Sequence, residues 1–202
     1  MTEKQKMLNS QLYFSGGEQL TNEREKAKQS CNRVNYDWNL ATSEKIEIIK
    51  SLIGSYGTNF YMETPVRFDY GYNVHVGDNF YMNFDSIFLD STKITIGDNV
   101  MIGPRVSLYT ASHPVDKDIR NSLLEYSQPI TIGNDVWIGG DTVINPGVVI
   151  GSNVVIGSGS VVTRNIASNV IAAGNPCREL RKITDEDKKK WTEIVKGTRS
   201  ID

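Results

Sequence analysis

Between residues 130 and 162 the chain repeats every six residues. Read in sixes it gives ITIGND, VWIGGD, TVINPG, VVIGSN, VVIGSG and SVVTRN, with Ile132, Ile138, Ile144, Ile150, Ile156 and Val162 in one register. A glycine or small polar residue follows each of them. A helix repeats apolar residues every three or four positions and a half-buried strand every two, so a strict six is neither. It is the period of a β-solenoid in which six residues make one short strand and a turn, and three such faces close one triangular coil. The second row, Ile130, Val136, Thr142, Val148, Val154 and Ser160, is apolar or small and takes the other inward position of each strand. Glycine, Asn and Asp at the corners supply the positive φ angles of a tight bend.

Followed backwards, the sixes run through Val76, Met82 and Phe88, then Ile96, Ile102 and Leu108, after a weak start near Pro65. Two departures stand out. Phe88 and Ile96 are eight apart, so two extra residues are expected to bulge out near Asp90 and Ser91. Leu108 and Ile132 are 24 apart where six are due, so an 18-residue insertion leaves the prism between about 110 and 129. Long loops on a rigid repeat scaffold are where function concentrates. After Val162 the register is expected to fail over residues 165–169, with IAAGNPCREL closing the solenoid.

The flanks are helical in pattern. Residues 21–34 are charged with sparse apolar positions, and residues 43–53 carry Ile46, Ile48, Ile49, Leu52 and Ile53 before Gly54, a helix fit to cover the open end of a coil. Residues 184–196, TDEDKKKWTEIVK, read as an exposed helix with acids early, bases late and Trp191, Ile194 and Val195 as its apolar stripe. The chain therefore divides into a helical cap, 1–60; the solenoid, 61–180, with the loop insertion at about 110–129; and a C-terminal helix and tail, 181–202.

Composition narrows the partners. With 22 Lys and Arg against 24 Asp and Glu, the formal charge is −2, which argues against nucleic acid or an anionic membrane. Cys31 and Cys177 have no paired spacing and suit a reducing compartment, and no apolar run is long enough to span a bilayer, so a cytoplasmic protein is expected.

Only two histidines exist. His113, in Ser112-His113-Pro114, opens the insertion, and the ordinary near-neutral pKa of histidine leaves two readings there, a general base or a loop-surface residue. His75 alternates outward between Val74 and Val76 and reads as a solvated face position. Two histidines are too few for a solenoid carbonic anhydrase, whose zinc needs three protein ligands, and no metal is expected.

Four stretches carry a resemblance: FYMNFDSIFLD at 80–90, ITIGDNVMIGPRVSLYTASHPVD at 94–116, PITIGNDVWIGG at 129–140 and AAGNPCREL at 172–180. Together with KMLNSQLYF near the start, they closely resemble the maltose and galactoside O-acetyltransferases, hexapeptide-repeat acyltransferases, over nearly the whole chain. The resemblance implies a left-handed parallel β-helix assembled as a homotrimer, with sites in clefts between subunits. It implies acetyl transfer from acetyl-CoA to a sugar hydroxyl, the cap lying on the acceptor side.

Mapped by that resemblance, His113 is the base and Asn83 the transition-state and acceptor-positioning residue, with Tyr81, Asp69 and Asp90 at further acceptor positions. Gly140 matches a position near the thioester, Ser158, Thr163 and Arg164 match the pantetheine arm, and Arg178 and Arg181 match the nucleotide phosphates. By spacing alone Asn83 is an ordinary corner residue, Tyr81 a packing residue and the two arginines a solvated flank. Trp137 faces outward between Val136 and Ile138, as a subunit anchor or as a wall of the CoA channel. Two departures fall on the acceptor side. Where the family carries an acid after the KML…LY segment this chain has Phe14-Ser15-Gly16-Gly17-Glu18, so either Glu18 takes that acceptor-binding place or the contact is missing, and near Asp90-Ser91 it has one acid where the galactoside branch has two. Two other readings remain open: an acetyltransferase for another hydroxyl acceptor, such as an antibiotic or envelope sugar, and a trimeric scaffold without activity.

Overall fold

The computed structural model describes residues 1–198. The chain opens with α1 (Glu3–Leu8), the short strand β1 (Tyr13–Phe14), α2 (Glu18–Tyr36) and α3 (Thr42–Leu52). The prism then winds three strands to a coil. The first coil is β2 (Tyr61–Met62), β3 (Val66–Phe68) and β4 (Val74–Val76), and the second is β5 (Tyr81–Met82), β6 (Ser86–Leu89) and β7 (Ile94–Ile96). The third begins with β8 (Met101–Ile102) and β9 (Ser107–Tyr109). It is interrupted by β10 (Ala111–Ser112), α4 (Lys117–Asn121) and β11 (Leu124–Ser127), and closes on β12 (Ile130–Ile132). The fourth is β13 (Val136–Ile138), β14 (Val143–Ile144) and β15 (Val149–Ile150). Last come β16 (Val154–Ile156), β17 (Val161–Val162), β18 (Val170–Ala173), β19 (Arg178–Lys182) and the helix α5 (Asp185–Thr198).

Successive coils pair in parallel, which produces faces of six, five and four strands, and the antiparallel β19 extends the first to seven. The registers follow the sixes: Phe88 opposes Leu108, Leu108 opposes Ile144, and Ile144 opposes Val162. Both inward rows are buried, including Thr142 and Ser160, whose hydroxyls donate to Gly139 O and Gly157 O. Phe68 and Phe88 stack at 4.9 Å with their rings 10° apart. His75 points out of its strand with Val74 and Val76 inside.

Corner chemistry explains the Asp-Asn pairs. At the edge between the four- and seven-stranded faces, Asp78 N donates to Asp98 Oδ1, Asp98 N to Asn134 Oδ1 and Asn134 N to Ser152 Oγ, each at 2.8–3.0 Å. The following residues, Asn79, Asn99, Asp135 and Asn153, take φ of 53–57°. Asn and Asp tolerate that left-handed geometry, and their side chains satisfy amides of the next coil that the bend leaves unpaired.

At the C-terminal end the six-residue register fails after Val162 as expected, and the coil continues two residues short. Ile150 bridges Ile166 and Val154 pairs Val170, 16 residues on rather than 18, and Ile166 is buried. Asn165 closes the shortened corner by accepting from Val149 N at 2.8 Å. The segment carrying Arg178 and Arg181 is an antiparallel edge strand on β18, not a flank of the helix.

At the other end α3 covers the open coil with Ile46, Ile49 and Ile53, and Gly54 N donates to Val74 O. The exposed edge of β3 is matched by one side chain. Asn35 of α2, buried, donates from Nδ2 to Val66 O at 2.8 Å and accepts from Val66 N at 3.0 Å, standing in for a neighbouring strand. Asn35→Leu strands both groups without water, and the expected loss is on the order of 2 kcal/mol. Urea unfolding checks it, and an unchanged midpoint would show that the amide contributes nothing. Among the described residues no helix is long and apolar enough to cross a membrane.

Candidate active site

The insertion builds a second, smaller sheet outside the prism. β10, from which His113 emerges, pairs β11 antiparallel, and β11 pairs β1, so the N-terminal strand braces the central strand of this small sheet. Asp116 caps α4 by accepting from the amides of Asp118 and Ile119 at 3.0 Å. From that helix Arg120 sends Nη1 back to Pro114 O at 3.1 Å and Val115 O at 2.8 Å, which fixes the carbonyls that follow His113. The imidazole is exposed and lines a cavity of about 290 Å³ with Phe14, Ser15, Gly16, Leu123 and Glu125.

Glu125 is held on both oxygens by the N-terminal segment. Tyr13 donates its hydroxyl to Oε2 at 2.9 Å and Ser15 to Oε1 at 2.7 Å. Tyr13 is buried, in a satellite core with Met7, Leu20 and Tyr70, and that burial pushes its phenol well above the usual range. Arg24 of α2 ties the segment down by donating to Ser15 O at 2.8 Å and to the Tyr70 hydroxyl at 2.7 Å. Asp69 is half-buried at the edge from which the insertion leaves, and its carboxyl is pushed up by burial, with Arg24 pulling the other way. Glu18 stands exposed in the first turn of α2 and is not among the residues lining the cavity. The acid of this cavity is Glu125.

The remaining candidates occupy other parts of the prism. Asn83, Gly140 and Ser158 follow β5, β13 and β16 and so share the edge between the seven- and five-stranded faces. Asn83 accepts at Oδ1 from Phe84 N at 2.8 Å, and its amide nitrogen donates to no described residue. Coils approach closely along this edge: a Cβ on Gly103 would stand 2.6 Å from Gly140 N, so a side chain there would force the coils apart. Thr163 and Arg164 follow β17, on the same edge as His113; Arg164 shares a cavity of about 300 Å³ with Cys177 and Arg178.

The outward face of the seven-stranded sheet carries Tyr61, Tyr81, Met101, Trp137, Val155 and Ile171 in a single column. Tyr81 is stacked on Tyr61 at 6.0 Å, and Trp137, 53% exposed, lines a cleft of about 1030 Å³ with Arg181 and Trp191 under α5. Arg181 forks onto Asp187 at 2.7 and 2.8 Å, which holds the Asp187 carboxyl far below the usual range. Thus one chain brings His113 together with Glu125 and Ser15, but not with Asn83, and it divides the donor-side candidates among three places.

Residues 129–164 match the bacterial transferase hexapeptide (six repeats) family and residues 6–57 the maltose acetyltransferase hexapeptide capping motif. The chain is 43% identical to the galactoside O-acetyltransferase of Escherichia coli over 170 residues, 82% of this chain and 84% of that one. A solved maltose O-acetyltransferase from Clostridium difficile shares 50% identity and a TM-score of 0.89 over 91% of this chain and 98% of its own. A galactoside acetyltransferase solved in complex with coenzyme A shares 44% identity and a TM-score of 0.89 over 93% and 94%. The chain belongs to the maltose and galactoside O-acetyltransferase family of hexapeptide-repeat acyltransferases.

The shared fold is the left-handed parallel β-helix of that family, with helices at both ends. For this acetyltransferase the sequence reading missed Glu125 and Ser15. A weak signal was available in Leu124-Glu125-Tyr126, a lone acid inside a short apolar run just before the sixes resume. Asp90 is a correction of place. It is fully buried, with Oδ1 accepting from Asp69 N and Tyr70 N at 3.0 and 2.9 Å, so its carboxylate faces the protein rather than an acceptor.

Proposed function

We propose that this acetyltransferase moves acetyl from acetyl-CoA to a sugar hydroxyl by direct attack, with His113 as general base. The observation that carries the reading is the braced loop that holds His113 over a cavity walled by Glu125 and Ser15. His113 removes the proton of the acceptor hydroxyl as its oxygen attacks, and returns it to the departing sulfur. When bound, acetyl-CoA supplies the thioester carbonyl, at which a carbon–oxygen bond forms and the carbon–sulfur bond breaks. The free amide nitrogen of Asn83 is a donor for the oxygen that becomes negative in the transition state. Asp69 and Tyr81 stand as acceptor contacts, and hydroxyl donors on a sugar suit the carboxylates of Asp69 and Glu125.

The donor side fits an extended pantetheine arm. The glycine edge at Gly140 leaves backbone within reach, Ser158 and Thr163 are exposed beside the path, Arg164 and Arg178 offer guanidinium groups to phosphate, and Arg181 would exchange Asp187 for phosphate. Trp137 is taken as a wall of that channel. The solved relative in complex with coenzyme A supports acetyl-CoA as the donor.

His113 and Asn83 lie on opposite sides of the five-stranded face, so a complete site takes two copies of the chain, which the homotrimer of the family would supply. The protein is assigned to the cytoplasm, where the buried free thiols of Cys31 and Cys177 meet no oxidant.

Two experiments test the reading. Sugars and non-sugar hydroxyl acceptors are assayed with acetyl-CoA for CoA release; turnover confined to non-sugars moves the acceptor class, and turnover with none favours a scaffold. Asn83→Ala is expected to lose about 10²-fold in kcat, as removal of one oxyanion donor does. Refolding it mixed with His113→Ala should recover activity that neither shows alone, because some interfaces then pair an intact His113 with an intact Asn83. No recovery would place both residues in the site of a single chain.

A further inference from the structure

The two residues that break the six-fold period at Asp90-Ser91 enter the protein instead of bulging out: Asp90, Ser91 and Thr92 are all buried. Around Asp90 the chain from Asp69 to Asn73 is wrapped as a turn. Asp90 Oδ1 accepts from the amides of Asp69 and Tyr70, and Asn73 Nδ2 donates to Asp90 O at 2.6 Å. Gly71, at φ +83°, lets the turn close over it. Oδ2 is buried and has no hydrogen-bond partner among the described residues. A carboxylate with one oxygen left bare costs stability, whereas an apolar residue would fill the same space without that cost. What the carboxyl holds in place is the backbone of Asp69, the half-buried acid on the acceptor side of the His113 loop.

We infer that Asp90 is a positioning residue for the acceptor: it folds the Asp69–Asn73 turn and so sets where the Asp69 carboxylate stands. This rests on the acetyl-transfer reading above, with Asp69 as an acceptor contact. The buried carboxyl also leaves a signature that does not depend on activity. The titratable groups around it are Asp69 and Tyr72 on the turn, Cys31 on α2, and, facing Asp69 in turn, Arg24 and Lys28 on α2 and Glu125 on β11. Burial first, and then the Asp69 carboxylate, push Asp90 up to about 7 against the pull of the backbone amides. An ordinary aspartate titrates near ~3.9, so the folded state binds the extra proton between the two values and loses stability as pH rises through that window.

The test compares Asp90→Ala and Asp90→Asn with wild type, using the sugar that turns over best. Asp90→Ala should raise the acceptor KM by about tenfold or more while the acetyl-CoA KM moves less than about twofold. Asp90→Asn keeps one oxygen for both amides and should restore the acceptor KM. In an Asp69→Asn background Asp90→Ala should have no further effect, because its action passes through Asp69. The Tm of Asp90→Asn relative to wild type should climb by several degrees between pH ~4 and ~7, where only the wild type has the carboxyl to ionise. Should Asp90→Ala not fold, Asp90→Ser, which leaves a short acceptor, takes its place. The inference is overturned if the acceptor KM is unmoved, if both KM values rise together, if Asn fails to rescue, or if the Tm difference is flat with pH. Absence of turnover with every hydroxyl acceptor in the wild type would instead remove the acetyl-transfer reading, and this inference with it.

Discussion

His113→Ala is expected to lower acetyl transfer by about 10² to 10⁴-fold, the range for loss of a positioned general base. The substitution removes a side chain that is exposed and outside both cores, so the fold, the Tm and the assembly should be unchanged. The loop keeps its shape because it is not held by the imidazole: Asp116 caps α4, Arg120 holds the carbonyls of Pro114 and Val115, and β1 braces β11. Both KM values should therefore change little, and the loss should appear in kcat. Release of free thiol from acetyl-CoA in the presence of an acceptor measures it. Full activity in that variant would remove His113 from the mechanism and leave the cavity as a binding feature only.

Ile144→Asp is expected to unfold the solenoid. Ile144 is fully buried, paired in register with Leu108 on one coil and Val162 on the next. No basic group belongs to that stack, whose neighbours are aliphatic, so a carboxylate there has neither water nor partner. Burial without compensation costs several kcal/mol even when the group takes up a proton to avoid its charge, a large part of the stability of an ordinary domain. The effect should spread, since each coil is stabilised chiefly by its neighbours. Loss of the cooperative thermal transition is the expected result. An unchanged Tm would mean that the inward rows are assigned wrongly.

These two predictions were legible to different degrees. The inward position of Ile144 follows from the six-residue register alone, and the outward position of Trp137 from alternation within its strand. His113 was legible because the insertion announces itself as a break in an otherwise strict period. Asp90 was misread. An Asp at a solenoid corner normally faces solvent, and only the packing of α2 and the Asp69–Asn73 turn over that edge encloses it. The break after Val162 was legible but the place of Ile166 was not: shortened by two residues, the coil no longer matches a six-residue template, although Ile166 still fills the inward place. Glu125 was missed because its partners are remote, with Tyr13 and Ser15 lying 112 and 110 residues away in the chain.

The sequence by itself determined the prism, its two inward rows, the corner residues with positive φ and the point where the loop leaves. Each of these is dictated by six residues and repeated, so side-chain alternation and turn chemistry state it many times over. The hand of the coil came from resemblance, since spacing carries no chirality. Only the tertiary structure decided which acid faces His113, which acid is buried, and that His113 and Asn83 stand on different edges of one chain. Those outcomes depend on how an N-terminal segment of helices and one short strand settles against a loop more than a hundred residues later. No period encodes that contact; it is selected by burial of Tyr13 and Met7 and by the hydrogen bonds that Glu125 and Arg24 make once the two segments meet.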